Sequence, residues 1–115
     1  MSELTGIARF TFDNGDVDEF KRLSEHAMDI VRDQDSGTLQ YDIYVNEDES
    51  EAIVIERYKD SEALMEHAAN IGELMATIPA TAGSISGALL GEPSEELKAS
   101  LSNGPVGLFA PYLSL

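Results

Sequence analysis

The sequence predicts a single α+β domain with a ferredoxin-like split βαβ fold. Strand-like and helix-like segments alternate in the order βαββαβ, followed by a C-terminal helix and an extended tail. The second and third strands are separated by four polar residues, a spacing typical of an antiparallel hairpin. The 115 residues suit one domain. Right-handed crossovers between the strands then place both main helices on one face of the sheet.

The first strand and the first helix occupy the N-terminal third of the chain. Residues 4–12 are rich in β-forming side chains and predict a strand. Asp16, followed by Glu19 three residues later, is the pattern of a helix N-terminus. Apolar residues then recur at helical spacing and predict a helix over residues 16–33. The predicted buried face of this helix consists of Val17, Phe20, Leu23, Ala27, Ile30 and Val31.

The hairpin comes next, with predicted strands over residues 38–46 and 51–59. In the register that sets apolar residues opposite apolar ones, the face predicted to lie under the helices is Leu39, Tyr41, Ile43, Val45, Ala52, Val54, Glu56 and Tyr58. The other face contains Gln40, Asp42, Tyr44, Ile53, Ile55 and Arg57. Because Tyr44, Ile53 and Ile55 make this second face too apolar for water, the sequence predicts a homodimer formed by sheet-to-sheet packing.

The second main helix begins at the capping residues 60–62. Its predicted apolar stripe is Leu64, Ala68, Ile71, Met75 and Ile78. Gly72 weakens the middle of this helix, so we expect a kink or break there, and Pro79 ends it near Ile78.

Three shorter elements complete the chain. Residues 84–90 predict a fourth strand, and residues 95–102 a short helix. Pro105 and Pro111 restrict residues 106–113 to an edge strand or a packed tail.

Composition excludes several kinds of partner. Twenty-two acidic and seven basic residues give a net charge of −15, and such a surface repels phosphate backbones and anionic lipids, so we expect neither nucleic acid nor a membrane as a partner. The acidity is equally consistent with a salty environment and with an ordinary solubility surface. The chain has no cysteine, which excludes disulfides, thiolate metal sites and a cysteine nucleophile. No signal peptide is visible in residues 1–5 and no apolar run approaches the ~18 residues of a membrane span, so the expected location is cytoplasmic.

One cluster of polar side chains is predicted inside the fold. Glu56 is the charged member of the helix-covered face, with Tyr41 across the sheet and Tyr58 along it. His67 lies about 60° from the centre of the apolar stripe, so its ring is expected to reach the edge of the gap between helix and sheet. A histidine there can remove a proton near neutral pH, and tyrosines can orient a phenolic substrate.

The same residues have a purely structural interpretation. A single histidine at the edge of an apolar stripe is more often a packing residue, and Glu56 can simply pair with a cation or accept a tyrosine hydroxyl. The other histidine, His26, lies roughly 100° from the stripe of the first helix and is predicted to be on the surface. No histidine spacing indicates a metal site and no glycine-rich loop indicates a nucleotide, so we expect neither a metal nor another cofactor.

Three segments of the chain resemble a known family. They are residues 37–44 (GTLQYDIY), 55–67 (IERYKDSEALMEH) and 90–97 (LGEPSEEL). Nearly the whole chain is similar to the antibiotic biosynthesis monooxygenase domain, whose members include small quinol monooxygenases. The resemblance implies a dimeric α/β barrel, in which the sheets of two protomers pack face to face.

The resemblance also implies an activity. Family members oxygenate a dihydroxyarene or a similar electron-rich aromatic without metal or flavin. The substrate is ionised to an anion that itself reduces dioxygen, while the protein desolvates, orients and deprotonates it. Two features of this chain depart from the family. Many relatives carry a second histidine a few residues after the position of His67, where this chain has Ile71-Gly72-Glu73, and the haem-degrading relatives need a tryptophan, which this chain lacks.

The sequence therefore supports two hypotheses. The first is a cofactor-independent monooxygenase that uses dioxygen on a quinol-like or polyhydroxylated aromatic, with His67 and Glu56 as catalytic groups and with Tyr41 and Tyr58 in contact with the substrate. The second is a non-catalytic small-molecule binding module on the same dimeric scaffold, which the missing second histidine favours.

Overall fold

The observed elements follow the predicted order. The computed structural model describes residues 3–115, and Met1 and Ser2, part of the stretch without a visible signal peptide, lie outside the described residues. The elements are β1 (Leu4–Thr11), α1 (Val17–Gln34), β2 (Thr38–Val45), β3 (Glu51–Tyr58), α2 (Ser61–Ile71), α3 (Leu74–Thr77), a 3₁₀ turn (Pro79–Thr81), β4 (Ser84–Leu90), α4 (Glu95–Leu101) and β5 (Val106–Phe109). Over residues 3–115, none of the helices is both long enough and apolar enough to cross a membrane.

Side chains that cap the helices explain where the two main helices begin. Asp16 accepts a hydrogen bond from the backbone N–H of Glu19 at 3.1 Å. Asp60 accepts one from the N–H of Ala63 at 2.8 Å. Such caps stabilise a helix by about 1 kcal/mol each. Both confirm the sequence prediction, and the second fixes the point at which the chain leaves β3 and enters α2.

The strands form one five-stranded sheet in the order β2-β3-β1-β4-β5. The first four strands pair antiparallel, and β5 pairs parallel to β4 at the edge. The hairpin register is the predicted one over most of its length, since Tyr41 lies opposite Glu56 and Ile43 opposite Val54. The fold is therefore the expected ferredoxin-like α+β fold.

The prediction for Leu39 is wrong. The pairing of β2 with β3 shifts between Thr38 and Gln40, which leaves Leu39 as an extra residue, and its side chain is 46% exposed instead of lying under the helices. A bulge of this kind re-aims the side chain of the extra residue, and the alternation of apolar residues does not reveal it. Val45, at the other end of this edge strand, is also exposed.

The helices cover one face of the sheet and leave the other open. On the open face of the protomer, Ile7, Tyr44 and Ile53 are 38%, 55% and 38% exposed. This face matches the half-apolar face predicted from the hairpin. Large apolar side chains arranged together on one face are typical of a surface that is covered by another molecule.

The core beneath the helices consists of two separate apolar clusters. The larger cluster contains Phe10, Phe12, Phe20, Leu23, Ala27, Ala52, Val54, Ile71, Leu74 and Ile78. The smaller cluster contains Leu4, Leu89 and Leu97. β1 contributes Phe10 to the larger cluster and Leu4 to the smaller one. Between these two residues, only Gly6 and Ala8 lie on the same face of β1. Gly6 pairs with Glu56 on β3, so the boundary between the clusters passes through Glu56.

The second helix is shorter than predicted and buries a different face. Gly72, with a φ of 60°, ends α2 at the expected break. The buried residues of α2 are Ala63, His67 and Ile71, each four positions apart. Met75, predicted to belong to the apolar stripe, is 50% exposed, because the break at Gly72 changes the phase of the helix. His67 is therefore at the centre of the buried face rather than at its edge.

The C-terminal segment adopts one of the two predicted possibilities. Val106–Phe109 is an edge strand, as the sequence predicted. Residues 110–115 follow without regular structure. They are not packed in the protomer, since Tyr112 and Leu113 are 91% and 84% exposed.

Candidate functional site

The four predicted site residues come together at the boundary between the two apolar clusters. The ring centroids of Tyr41 and Tyr58 lie 5.3 Å and 5.4 Å from that of His67. Tyr58 donates its hydroxyl to Oε1 of Glu56, and the same Oε1 lies 3.9 Å from Nε2 of His67. His26 is exposed on α1, as predicted. The hairpin and α2 thus supply one compact group of two phenols, one carboxyl and one imidazole.

A fifth side chain, Asp35, belongs to this group and was not predicted. His67 Nδ1 lies 2.7 Å from Asp35 Oδ2, and the two side chains are only 6% and 1% exposed. The Thr38 hydroxyl donates to Oδ2 at 2.6 Å, and the Asn70 amide donates to Oδ1 at 2.8 Å. In the sequence, Asp35 indicated only the end of a helix. The hairpin register contained a usable signal, because it brings the residues just before β2 next to the start of α2.

The loop between α1 and β2 is held tightly against α2. Ser36 donates its backbone N–H and its hydroxyl to Glu66 Oε1, at 3.0 Å and 2.9 Å. At Gly37, a Cβ would lie 2.5 Å from the Cβ of Ala63, so no side chain fits between the loop and the helix. This close approach lets the short side chain of Asp35 reach His67.

Asp35 fixes the tautomer of His67. Burial opposes ionisation of Asp35, but hydrogen bonds from Asn70, Thr38 and His67 outweigh it and hold the pKa of this carboxyl below its ordinary value. Because an ionised carboxylate only accepts hydrogen bonds, Nδ1 of His67 carries the proton between them. In the neutral form of this imidazole the lone pair is on Nε2, which has no hydrogen-bond partner among residues 3–115. One anchored nitrogen and one free nitrogen are the arrangement of a general base.

Glu56 and the two tyrosines have pKa values raised above their ordinary values. Burial raises the pKa of Glu56, and this effect exceeds the opposing effects of the Tyr58 hydrogen bond and of His67. Burial also raises the pKa of Tyr41 and of Tyr58, and the neighbouring Glu56 raises both further. The group therefore combines an imidazole nitrogen, Nε2 of His67, with a carboxyl whose pKa is raised, that of Glu56.

Gly6 leaves a small gap beside Glu56. It lies directly opposite Glu56 on β1. A Cβ built on Gly6 would meet only the Cβ of Glu56, at 3.9 Å. The side chain of Glu56 is 26% exposed, whereas Tyr58 and His67 beside it are buried. Part of the Glu56 side chain is therefore open to solvent.

Two larger clefts lie away from this group. One, of about 460 Å³, lies between α1 and β2 and includes Met28 and Ile43. The other, of about 390 Å³, lies near the starts of α2 and α4 and includes Met65 and Glu92. Neither contains Asp35, Tyr41, Glu56, Tyr58 or His67. Across the described part of the chain, no three His, Cys, Asp or Glu side chains are placed to hold a metal ion together.

Comparison with known proteins identifies the family. The family model for antibiotic biosynthesis monooxygenases matches residues 4–71, which is more than half of the chain and includes the whole group around His67. The chain belongs to the antibiotic biosynthesis monooxygenase family. This confirms the resemblance seen in the sequence. A comparison with proteins of curated function finds no match.

Several solved structures share the fold. MupZ from Pseudomonas fluorescens superposes with a TM-score of 0.78 at 20% identity, over 99% of this chain and 88% of MupZ. SnoaB from Streptomyces nogalater, a cofactor-independent oxygenase, gives a TM-score of 0.65 at 18% identity, over 80% of this chain and 94% of SnoaB. Rv0793 from Mycobacterium tuberculosis gives a TM-score of 0.65 at 23% identity, over 81% of this chain and 97% of Rv0793. At these identities the likeness establishes the fold alone.

Proposed function

We propose that this protein is a cofactor-independent monooxygenase that uses dioxygen to oxidise a quinol-like or polyhydroxylated aromatic compound. The observation that carries the proposal is the buried Asp35–His67 pair, which leaves Nε2 of His67 free beside Glu56. Membership of the monooxygenase family and the fold shared with an oxygenase that needs no cofactor support the same reaction class.

The reaction begins with removal of a phenolic proton by Nε2 of His67. Asp35, 2.7 Å from Nδ1, stabilises the imidazolium that results. The phenolate gives one electron to dioxygen, and recombination of the two radicals forms a carbon–oxygen bond at a ring carbon. That carbon then loses its hydrogen as a proton while the O–O bond breaks. One oxygen atom remains as a carbonyl and the other leaves as water, so a phenol and dioxygen become a quinone and water.

Glu56 and the tyrosines have separate roles in this scheme. Glu56, whose Oε1 lies 3.9 Å from Nε2 of His67, gives a proton to the oxygen that leaves as water. Tyr41 and Tyr58 provide aromatic surfaces against which a flat substrate can pack, next to the imidazole.

The active form in this proposal is a homodimer. The open sheet face carries Ile7, Tyr44 and Ile53 in exposed positions, and packing it against the same face of a second copy removes this apolar surface from water. Two sheets packed in this way form the barrel implied by the family.

Oxygen consumption tests the proposed reaction. The protein is treated with a chelator, freed of flavin and assayed in an oxygen electrode with a panel of hydroquinones and naphthalenediols. We expect uptake by the wild type, a loss of about 10²–10⁴-fold in His67→Ala, and no change in His26→Ala, whose side chain is exposed. Absence of uptake with every compound of the panel would exclude the proposed reaction for this substrate class.

A non-catalytic binding module is the second candidate. The tight packing around the group favours it, because Tyr58 and His67 are only 1% and 4% exposed. A saturable change of tyrosine fluorescence on addition of the same compounds, without oxygen uptake, identifies this second function.

A further inference from the structure

The cleft between α1 and β2 combines an apolar lining with one buried hydroxyl. Its volume is about 460 Å³, and Phe20, Met28 and Ile43 contribute apolar surface to it. Ser24 lines the same cleft and is only 6% exposed, and its hydroxyl opens onto the cleft without a hydrogen-bond partner among residues 3–115. Buried polar groups in proteins are nearly always hydrogen-bonded. The α1–β2 cleft is therefore suited to a side chain with an apolar body and a polar tip.

β2 is an edge strand of the sheet, so the α1–β2 cleft lies beside a free strand edge. Ile43 and Val45 of β2 line the cleft, whereas Tyr44 between them is 55% exposed on the open face. The backbone N–H and C=O groups along such an edge are available to an added strand. Because side chains alternate between the two faces of a sheet, an added strand directs one side chain to the cleft and the next to the open face.

Residues 110–115 have the composition that this cleft and this edge require. They contain no charged side chain, and Tyr112 and Leu113 are 91% and 84% exposed in the protomer. Six extended residues reach about 20 Å. Lys21 and Arg32 both line the cleft, and their separation along α1 is about 16 Å at ~1.5 Å per residue. The segment is therefore long enough to lie along the whole cleft.

We propose that residues 110–115 of one protomer add to the free edge of β2 in a second copy of the chain, with Tyr112 as the anchor in the α1–β2 cleft. The Tyr112 ring packs against Met28 of the second copy, and its hydroxyl bonds the hydroxyl of Ser24 there. Tyrosine is among the side chains that most often anchor interfaces in this way.

The sheet topology favours a second copy over the same protomer as the source of the segment. β5, which leads into residues 110–115, and β2 lie at opposite edges of the sheet, with three strands between them. A second copy supplies the segment without its crossing the sheet, and a two-fold axis then makes the two contacts equivalent. Leu113, next to Tyr112, falls on the open face beside the exposed Tyr44.

The inference rests on the homodimer of the proposed function but not on its reaction. The chain has no cysteine, so introduced cysteines report the contact directly. Met28→Cys and Tyr112→Cys are made on separate chains, produced together and oxidised in air. We expect a disulfide between positions 28 and 112 that joins the two different chains, detected by non-reducing electrophoresis and mass spectrometry. Thr77→Cys, at an exposed site outside the cleft, replaces Met28→Cys in the control and is expected to give no such link.

Two results would overturn the inference. One is the absence of the link between chains in a preparation that light scattering shows to be dimeric. The other is a link within a single chain of monomeric mass when both cysteines are on the same chain. Glu25→Cys, at an exposed residue of the same cleft, repeats the test if Met28→Cys does not fold. A monomeric preparation without the link removes both the homodimer and this inference, whereas a linked dimer without oxygen uptake removes only the proposed reaction.

Discussion

Asp35 and His67 are 32 positions apart in the sequence, yet a carboxylate oxygen of one lies 2.7 Å from Nδ1 of the other. The contact joins the loop before β2 to the middle of α2. Two further donors, Thr38 and Asn70, hold the same carboxylate. An imidazole fixed in this way has a defined tautomer and orientation, which is what proton transfer to a bound molecule requires.

Asp35→Asn is expected to reduce turnover about 10²–10⁴-fold. The amide that replaces the carboxylate can donate to Nδ1, which moves the imidazole proton to Nε2, and it removes the charge that stabilises the imidazolium. Oxygen uptake measures the rate, and nitrogen NMR of the imidazole reports the tautomer. Asp33→Asn is the matched control, because it removes the same charge at an exposed position near the end of α1. Undiminished uptake in Asp35→Asn would show that the pair has no part in the reaction.

His67→Ala is expected to lower stability as well as activity. The edge position predicted from the sequence implied little effect on folding, but the side chain is 4% exposed. Its removal opens a cavity and leaves Asp35 without one of its three side-chain donors, a combination that costs about 1–3 kcal/mol in the free energy of unfolding. Urea unfolding of His67→Ala and of the exposed control His26→Ala provides the measurement. Equal midpoints for His67→Ala and the wild type would contradict the buried position.

Glu56→Gln is expected to gain stability relative to the wild type as pH rises. The folded-state pKa of Glu56 is raised above its reference value of 4.5, so its favourable contribution is fully present below about pH 4.5 and is lost as pH rises through the folded pKa. Glutamine keeps a carbonyl oxygen for the Tyr58 hydroxyl and has no proton to lose. The difference in melting temperature between variant and wild type is therefore expected to grow from pH 4.5 upwards.

Thermal unfolding of both proteins at a series of pH values measures this difference. The contributions of the other titrating groups to stability are common to both proteins and cancel in it. Glu62→Gln, at an exposed position at the start of α2, is the control and is expected to show a difference that stays nearly constant. A flat difference for Glu56→Gln would mean that the folded-state pKa of Glu56 is not raised.

Ile55→Lys is expected to convert a dimer into a monomer. Ile55 lies on the open sheet face beside Ile7, its partner on β1, and an unpaired ammonium in an apolar interface is unfavourable. Light scattering coupled to size exclusion, at micromolar concentration, gives the mass of each species. Thr77→Lys adds the same charge at an exposed site in α3 and is expected to leave the dimer intact. A monomeric wild type would exclude sheet-to-sheet assembly.

The sequence predicted the order of the elements along the chain, the hairpin pairing and four of the five side chains in the group that includes His67, because all of these depend on local periodicity. Leu39 could not be placed, since a bulge adds one residue without changing the composition of the strand. The prediction of the buried face of α2 was also wrong. A histidine interrupts the apolar pattern on the sequence, but it can be buried because a partner side chain satisfies its hydrogen-bonding nitrogen. That partner, Asp35, is chosen by the packing of a loop against a helix, and no periodic pattern encodes such a contact.

In the proposed site, the residue that leaves space for a ligand, Gly6, is not one of the residues that transfer protons. Because the space beside Glu56 depends on an absent side chain, a methyl or a longer group at this one position narrows the opening while the imidazole and both carboxyls remain where they are. Under the proposed function, substitution at residue 6 is expected to alter which molecules bind, and substitution at residues 35, 56 or 67 to alter their reaction. A lineage with this arrangement can acquire a new ligand by single amino-acid steps that leave the reactive groups untouched.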